Sequence, residues 1–229
     1  MVSKGGLMGE KILIGICCLI IGYLFGSIST AVILSKKIYK QDIRELGSKN
    51  SGATNMGRIF GLKVGFIIII LDMLKTCLPI WISYFVLKYT PLSQYNMSYY
   101  GYLISGLGAV IGHCFPLFYG FKGGKAVSSF GGFIVATCWF LIPIGLSLYL
   151  LLLKIQKKVS LASIIISIVL SCLSFLLPIL PSWFMNFEME SGIAYSITLC
   201  LIALILIIRH KDNIKRIIEG NERKIKWMK

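Results

Sequence analysis

Three polar stretches hold most of the residues that could grip or activate a small ionic molecule. Within residues 42–61, Gly47, Gly52, Gly57 and Gly61 alternate with Ser48, Asn50, Ser51, Thr54 and Asn55, and Arg58 follows. Such a stretch forms a loop whose backbone N–H groups can turn toward one ligand, with the arginine as a planar cationic fork. A solvated basic loop beside a membrane is the bland alternative, and it would need no Gly-Ala-Thr-Asn pattern. The second stretch runs from Gly112-His113-Cys114-Phe115-Pro116 to Lys122-Gly123-Gly124-Lys125. Adjacent glycines let backbone amides approach phosphate oxygens, and a helix following them presents the positive end of its dipole. A turn between membrane helices with snorkelling lysines is the competing reading. The third stretch is Arg209-His210-Lys211-Asp212-Asn213, with Glu219 and Glu222 behind it. If the last apolar helix continues through it, His210 and Asn213 share a face at i,i+3 spacing, where they could orient a hydroxyl or bind a phosphate. A histidine at a basic helix end is also simply a favourable C-terminal charge.

Several familiar chemistries fail on spacing. A nucleotide P-loop would need glycine where Tyr119 stands and a hydroxyl residue where Ala126 stands. A His-x4-Asp arrangement fails at both histidines, because Phe118 and Lys215 occupy the acid positions. The seven cysteines form no CxxC pair and lie in or beside apolar runs, so they read as packing residues, and no metal set is expected.

The elements that must position these stretches are membrane helices. The chain is 56% hydrophobic with mean hydropathy +0.81, too apolar to leave room for a separate soluble domain, so one integral membrane domain over 1–229 is expected. Of its 24 Lys and Arg residues, seven lie in 36–63, two in 122–125, three in 154–158 and eight in 209–229. A net charge of +15 distributed this way, between apolar runs, reads as the positive-inside rule and not as a nucleic-acid surface. Apolar runs at 12–34, 64–87, 101–118, 159–180 and 192–208 supply full-length spans. A cleaved leader is the rival reading of the first run, with Lys4 and Lys11 ahead of it and the small residues Gly26 to Ala31 behind. The run's length and the spans that follow argue for an anchor.

If all four basic segments are cytoplasmic, the apolar residues 126–153 must leave and return to the same side. Two short helices forming a hairpin broken near Pro143 and Gly145 satisfy that condition. The expectation is an all-α polytopic protein of seven transmembrane helices, N-terminus outside and C-terminus inside. Asp72 and Lys75 fall inside the second span at i,i+3 spacing, either pairing with one another or lining a substrate path.

These stretches, in this order and between these spans, resemble the bacterial acyl-phosphate:glycerol-3-phosphate acyltransferase family over nearly the whole chain. The resemblance rests on Gly26-Ser27-Ile28, Gly47-Ser48 to Arg58, Gly112-His113 through Lys125, Val159-Ser160-Leu161-Ala162-Ser163, and Arg209-His210 to Glu222. It implies a seven-helix enzyme of the bacterial cell membrane with its active site at the cytoplasmic face. That enzyme would join the acyl group of an acyl phosphate to glycerol 3-phosphate, giving lysophosphatidic acid for phospholipid synthesis. By this likeness Ser48, Arg58, Lys125, Ser160, His210 and Asn213 are catalytic, and Asn50, Asn55, Lys122, Gly123 and Gly124 bind substrate or phosphate. Glu222 matches a structural acid. No cofactor is implied. The partners implied are the two substrates, membrane lipid and a phosphate acyltransferase that makes acyl phosphate. The chain departs from the family pattern at Ser29, usually Pro, and at Lys49 and Ala126, usually Gly.

The residue chemistry agrees with that implication. An acyl phosphate is a mixed anhydride with a good leaving group, so an enzyme has mainly to hold two anions and align a hydroxyl with a carbonyl. A small transporter or channel for an anionic solute is the alternative from another class, suited by the basic loops and the Asp72–Lys75 pair. Transporters usually carry internal repeats, which are not visible here.

Overall fold

A computed structural model describes residues 4–225, and every regular element in them is helical. Lys226 and Lys229, counted above in the last basic segment, lie outside the described residues. The α-helices are α1 (Lys4–Gly26), α2 (Thr30–Tyr39), α3 (Ala53–Phe60), α4 (Leu62–Tyr89), α5 (Ser98–Cys114), α6 (Val127–Thr137), α7 (Leu141–Gln156), α8 (Val159–Ser174), α9 (Ile193–Arg209) and α10 (Lys211–Ile218). Among the described residues, four stretches are long and apolar enough to cross a bilayer: Met8–Tyr39, Leu62–Tyr89, Ser98–Tyr119 and Val159–Ile179. The pair α9 and α10, bent by 62°, makes a fifth if counted as one. The protein is therefore a multi-pass, all-helical membrane protein. It divides into two compact units between Gly124 and Lys125.

In the first unit α1 lies along α5, and their backbones touch. Gly22 and Gly26 sit one turn apart on α1, and Gly108 and Gly112 do so on α5. A Cβ built on any of the four would overlap a carbonyl oxygen of the facing helix, from Ser105, Ala109, Leu19 and Tyr23 respectively. This is the small-xxx-small contact by which helices associate where no hydrophobic effect drives them together. The sequence reading passed over it. The first apolar run is also not one continuous helix. It breaks at residues 27–29, between α1 and α2.

In the second unit the short apolar pair is α6, 11 residues, and α7, 16 residues. The break falls at residues 138–140, upstream of the expected Pro143 and Gly145. Two facts account for the shift. Pro143 occupies the first turn of α7, where a missing N–H costs no helical bond. The opened backbone also finds partners at 138–140: Asn186 Oδ1 accepts from Trp139 N (3.0 Å), Asn186 Nδ2 donates to Val135 O (2.8 Å), and the Trp139 indole donates to Trp183 O (2.7 Å). Gly145 instead provides close packing, since a Cβ there would press on Leu170 of α8.

The α1–α5 contact yields a direct test. Gly108→Val places branched carbons against the Leu19 carbonyl, an overpacking cost of about 1–3 kcal/mol or more. We expect it to lower the unfolding temperature in detergent well below that of Gly9→Val, where a Cβ meets nothing within 4 Å.

Candidate active site

The first unit contributes the glycine-rich loop and the Gly123-Gly124 turn. Asn55, 2% exposed at the start of α3, organises the loop around its carboxamide. Its Oδ1 accepts from Ser48 N (2.9 Å), and its Nδ2 donates toward the carbonyls of Ile43, Leu46 and Asn50 at 2.9–3.2 Å. Asn55 thus shapes the loop through its backbone, and Asn50 enters that network at its main-chain carbonyl. The tight path also needs left-handed backbone at Gly47 (φ 59°) and Lys49 (φ 58°). Lys49 therefore adopts the conformation that the family's usual glycine favours. Ser48 and Arg58 are exposed on this loop and on the last turn of α3.

Arg44, which the sequence reading overlooked, ties this loop to the next one. Its guanidinium grips the Asp42 carboxylate (2.7 and 3.0 Å) and donates to Tyr119 O (3.0 Å). The Arg44 hydrogen bonds hold the Asp42 carboxyl far below the usual carboxylate range, outweighing its partial burial. From the other side Ser27 Oγ accepts from Leu117 N (3.3 Å), and Tyr23 donates its hydroxyl to Phe115 O (2.9 Å). At the end of this loop Gly124 N donates to His113 O (3.0 Å). A Cβ on Gly123 would overlap that carbonyl, and one on Gly124 would overlap the His113 ring at Nε2. Both glycines are thus required by close approach. Both are buried, while Lys122 is exposed. Two residues on, Ala126 keeps left-handed backbone (φ 64°) without the glycine usual there, and α6 begins at Val127.

The second unit gathers the remaining candidates around one carboxylate. Glu222, 7% exposed, accepts at Oε1 from Ser160 Oγ (2.5 Å) and Asn213 Nδ2 (2.7 Å), and at Oε2 from Arg216 Nε (2.8 Å). Asn213 Nδ2 also reaches Ser160 Oγ (2.6 Å), so its Oδ1 is turned to accept from Lys125 Nζ. Burial on its own would raise the Glu222 carboxyl. The hydrogen bonds from Ser160, Asn213 and Arg216 prevail and hold it below its ordinary value. Lys125 is pushed down, first by burial and then by the positive charge of Arg216.

His210 does not continue α9, as the sequence reading expected. It stands at the bend between α9 and α10 and is 3% exposed. Its Nδ1 lies 2.8 Å from Leu206 O. A carbonyl only accepts, so Nδ1 carries the proton and Nε2 keeps its lone pair. Burial pushes this imidazole down to about 4, with Lys125 and Arg209 adding to the effect and Leu206 and Glu222 opposing it. It is neutral at physiological pH. The backbone of Ile225 donates to Lys157 O (2.7 Å), fastening the chain after Glu222 to the turn before α8.

Fold and site together define a multi-pass membrane protein whose polar helix breaks carry glycine backbone, Lys, Arg and Asn, with the buried Glu222 carboxylate held in hydrogen bonds. The sequence matches the family model for glycerol-3-phosphate acyltransferase over residues 16–220, and the chain belongs to that family. A glycerol-3-phosphate acyltransferase of Listeria monocytogenes serovar 1/2a is 39% identical over 209 residues, covering 91% of this chain and 96% of its own. One of Staphylococcus aureus (strain Newman) is 36% identical, covering 93% of this chain and 98% of its own. Two crystal structures of PlsY (YgiH), an integral membrane glycerol 3-phosphate acyltransferase, share the fold at 28% identity. The glycerol 3-phosphate form superposes with a TM-score of 0.78 and the lysophosphatidic acid form with 0.76, each covering 93% of this chain.

Glu222→Ala should leave Ser160, Asn213 and Arg216 without their acceptor, costing about 2–4 kcal/mol near pH 7. The folded carboxyl lies below its ordinary 4.5, so its contribution is full above about pH 4.5 and is lost as pH falls through the folded value. Thermal unfolding of parent and variant should differ near pH 7 and converge in acid.

Proposed function

We propose that this chain transfers an acyl group from acyl phosphate to the 1-hydroxyl of glycerol 3-phosphate, releasing 1-acylglycerol 3-phosphate and inorganic phosphate. The observation that carries the proposal is the gathering of phosphate-seeking groups, Lys, Arg, Asn and close-packed glycine backbone, in the polar helix breaks. Lys125 is a half-buried ammonium against the oriented Asn213, and the Gly123-Gly124 backbone packs closely at the end of its loop, while Glu222 is held in hydrogen bonds. The hydroxyl oxygen attacks the acyl carbon, the bond from that carbon to the phosphate oxygen breaks, and phosphate departs with the hydroxyl proton. We assign Ser48, Asn50, Arg58, Lys122, Gly123 and Gly124 in the first unit to anion binding, with Asn55 holding the loop through its carboxamide. In the second unit Lys125 and Ser160 serve the charged groups, and Asn213 and His210 orient the hydroxyl and the carbonyl. A phosphate reaching Lys125 would find a desolvated ammonium, where each charge-assisted bond is worth about 1.5–3 kcal/mol. His210 offers a neutral Nε2 that can accept from the glycerol hydroxyl, and the acyl-phosphate oxygen is the final proton acceptor.

The further assignments follow the same reading. Residues 1–229 act as one acyltransferase domain, supported by a family match running across both units. Seven helices cross or enter the bilayer of a bacterial cell, the hairpin α6–α7 included. The N-terminus is outside, with the C-terminus and the chemistry on the cytoplasmic side, as the placement of Lys and Arg favours. A soluble phosphate acyltransferase would supply the acyl phosphate.

Purified protein in detergent or lipid mesophase should release phosphate from palmitoyl phosphate only when glycerol 3-phosphate is present, and should form lysophosphatidic acid. Palmitoyl-CoA should not replace the donor. No turnover by folded protein, with phosphate flux in liposomes instead, would favour an anion transporter. With the His210 imidazole at about 4, kcat/KM should show no acidic limb between about pH 5 and pH 7 from this group. A limb near pH 6 that vanishes in His210→Ala would make it the general base.

A further inference from the structure

The charges inside α4 are the polar cluster that the proposed chemistry does not use. Asp72 and Lys75 are 2% and 6% exposed on a helix that turns Phe66, Ile67 and Leu74 outward. They pair at 2.9 Å, and each also reaches beyond the pair. Thr30 Oγ1, at the start of α2, donates to Asp72 Oδ1 (2.7 Å), and Lys75 Nζ donates to Ile28 O (2.8 Å). Both charges thus end in the break between α1 and α2, where a carbonyl leaves its helix with no water to receive it. On the other side Asp72 Oδ1 lies 3.8 Å from His113 Nδ1. The same imidazole is the surface on which Gly124 rests, and the His113 carbonyl accepts from Gly124 N.

Stability alone is a poor reason for such a pair, because a buried ion pair can often be replaced by apolar side chains without loss. Intramembrane charges are costly and commonly serve function. Here the two charges hold the supports of the 115–124 loop at both of its ends. Lys75 fixes the break whose Ser27 hydroxyl accepts from Leu117 N, and Asp72 faces the imidazole under Gly124.

We propose that Asp72 and Lys75 are positioning residues that set the conformation of the Gly123-Gly124 loop for phosphate binding. The inference rests on the reading of that loop as an anion site. It acts through His113 and the α1–α2 break, and neither charge touches substrate.

The test compares Asp72→Leu/Lys75→Met, the exchanged pair Asp72→Lys/Lys75→Asp, Thr30→Val and Gly124→Ala, with kcat and KM measured for glycerol 3-phosphate and for acyl phosphate separately. The apolar double variant loses the bonds to Ile28 and Thr30, so it should unfold below the parent; assayed well below that transition, it should raise KM for the phosphate substrate that the loop holds by about tenfold. Whichever KM moves identifies that substrate. The exchanged pair keeps an ion pair but takes the ammonium from Ile28 and the carboxylate from Thr30 and His113, so it should not restore KM. Should the double variant fail to fold, Thr30→Val, which strands no charge, should raise the same KM by about threefold. A merely structural pair would lower Vmax with the folded fraction and leave both KM values within about twofold, and that result, or recovery in the exchanged pair, overturns the proposal. Gly124→Ala with both KM values unchanged would instead overturn the loop's reading as a phosphate site.

Discussion

A bilayer offers no water to a carbonyl or amide that leaves its helix, so each break in the apolar elements has to be answered by another part of the chain. The break at 27–29 is answered by Lys75 and by the Thr30–Asp72 bond. The break at 138–140 is answered by Asn186 and by the contact between Trp139 and Trp183. At the bend after Arg209, His210 bonds back to Leu206. These answers fix the backbone geometry of the loops, and the loops carry the groups that the proposed chemistry uses. Structure and chemistry are therefore coupled at the same few positions.

The electrostatics follow from the charge of the substrates. On the proposed reading both substrates, glycerol 3-phosphate and acyl phosphate, are anions, and free carboxylates near them would raise the cost of bringing them together. The second unit solves this by holding Glu222 in three hydrogen bonds, one of them from Arg216. The carboxylate then acts through Asn213, fixing which way its amide points and so which atom faces Lys125. A lysine already weakened as an acid-base reserve by burial has more to gain from a phosphate than an exposed one has.

Much of this organisation is legible in the sequence. Apolar runs and basic segments locate the spans within a few residues, and the mixture of Gly, Lys, Arg and Asn points to anion chemistry. What escaped notice depends on partners far apart in the chain. The interlock of Gly22 and Gly26 with Gly108 and Gly112 is visible only once α1 and α5 are side by side. The hairpin breaks where Asn186 can serve it, and no local signal near Trp139 announces that partner. Asn55 read as a ligand residue because carboxamides suit phosphate and loop backbone equally well. Arg44 and Arg216 enter the sequence argument only as basic residues that set the orientation, yet each holds a carboxylate. Lys49 and Ala126 occupy left-handed positions, so the two departures from the family's glycines preserve the backbone at a modest cost in strain.

The central claim is that the protein holds two phosphate-bearing substrates together and transfers the acyl group directly between them. Initial-velocity kinetics with both substrates varied tests it most directly. Direct transfer within a ternary complex predicts intersecting double-reciprocal lines and no release of phosphate before glycerol 3-phosphate is added. Parallel lines with a burst of phosphate from acyl phosphate alone would reveal an acyl-enzyme and contradict the account.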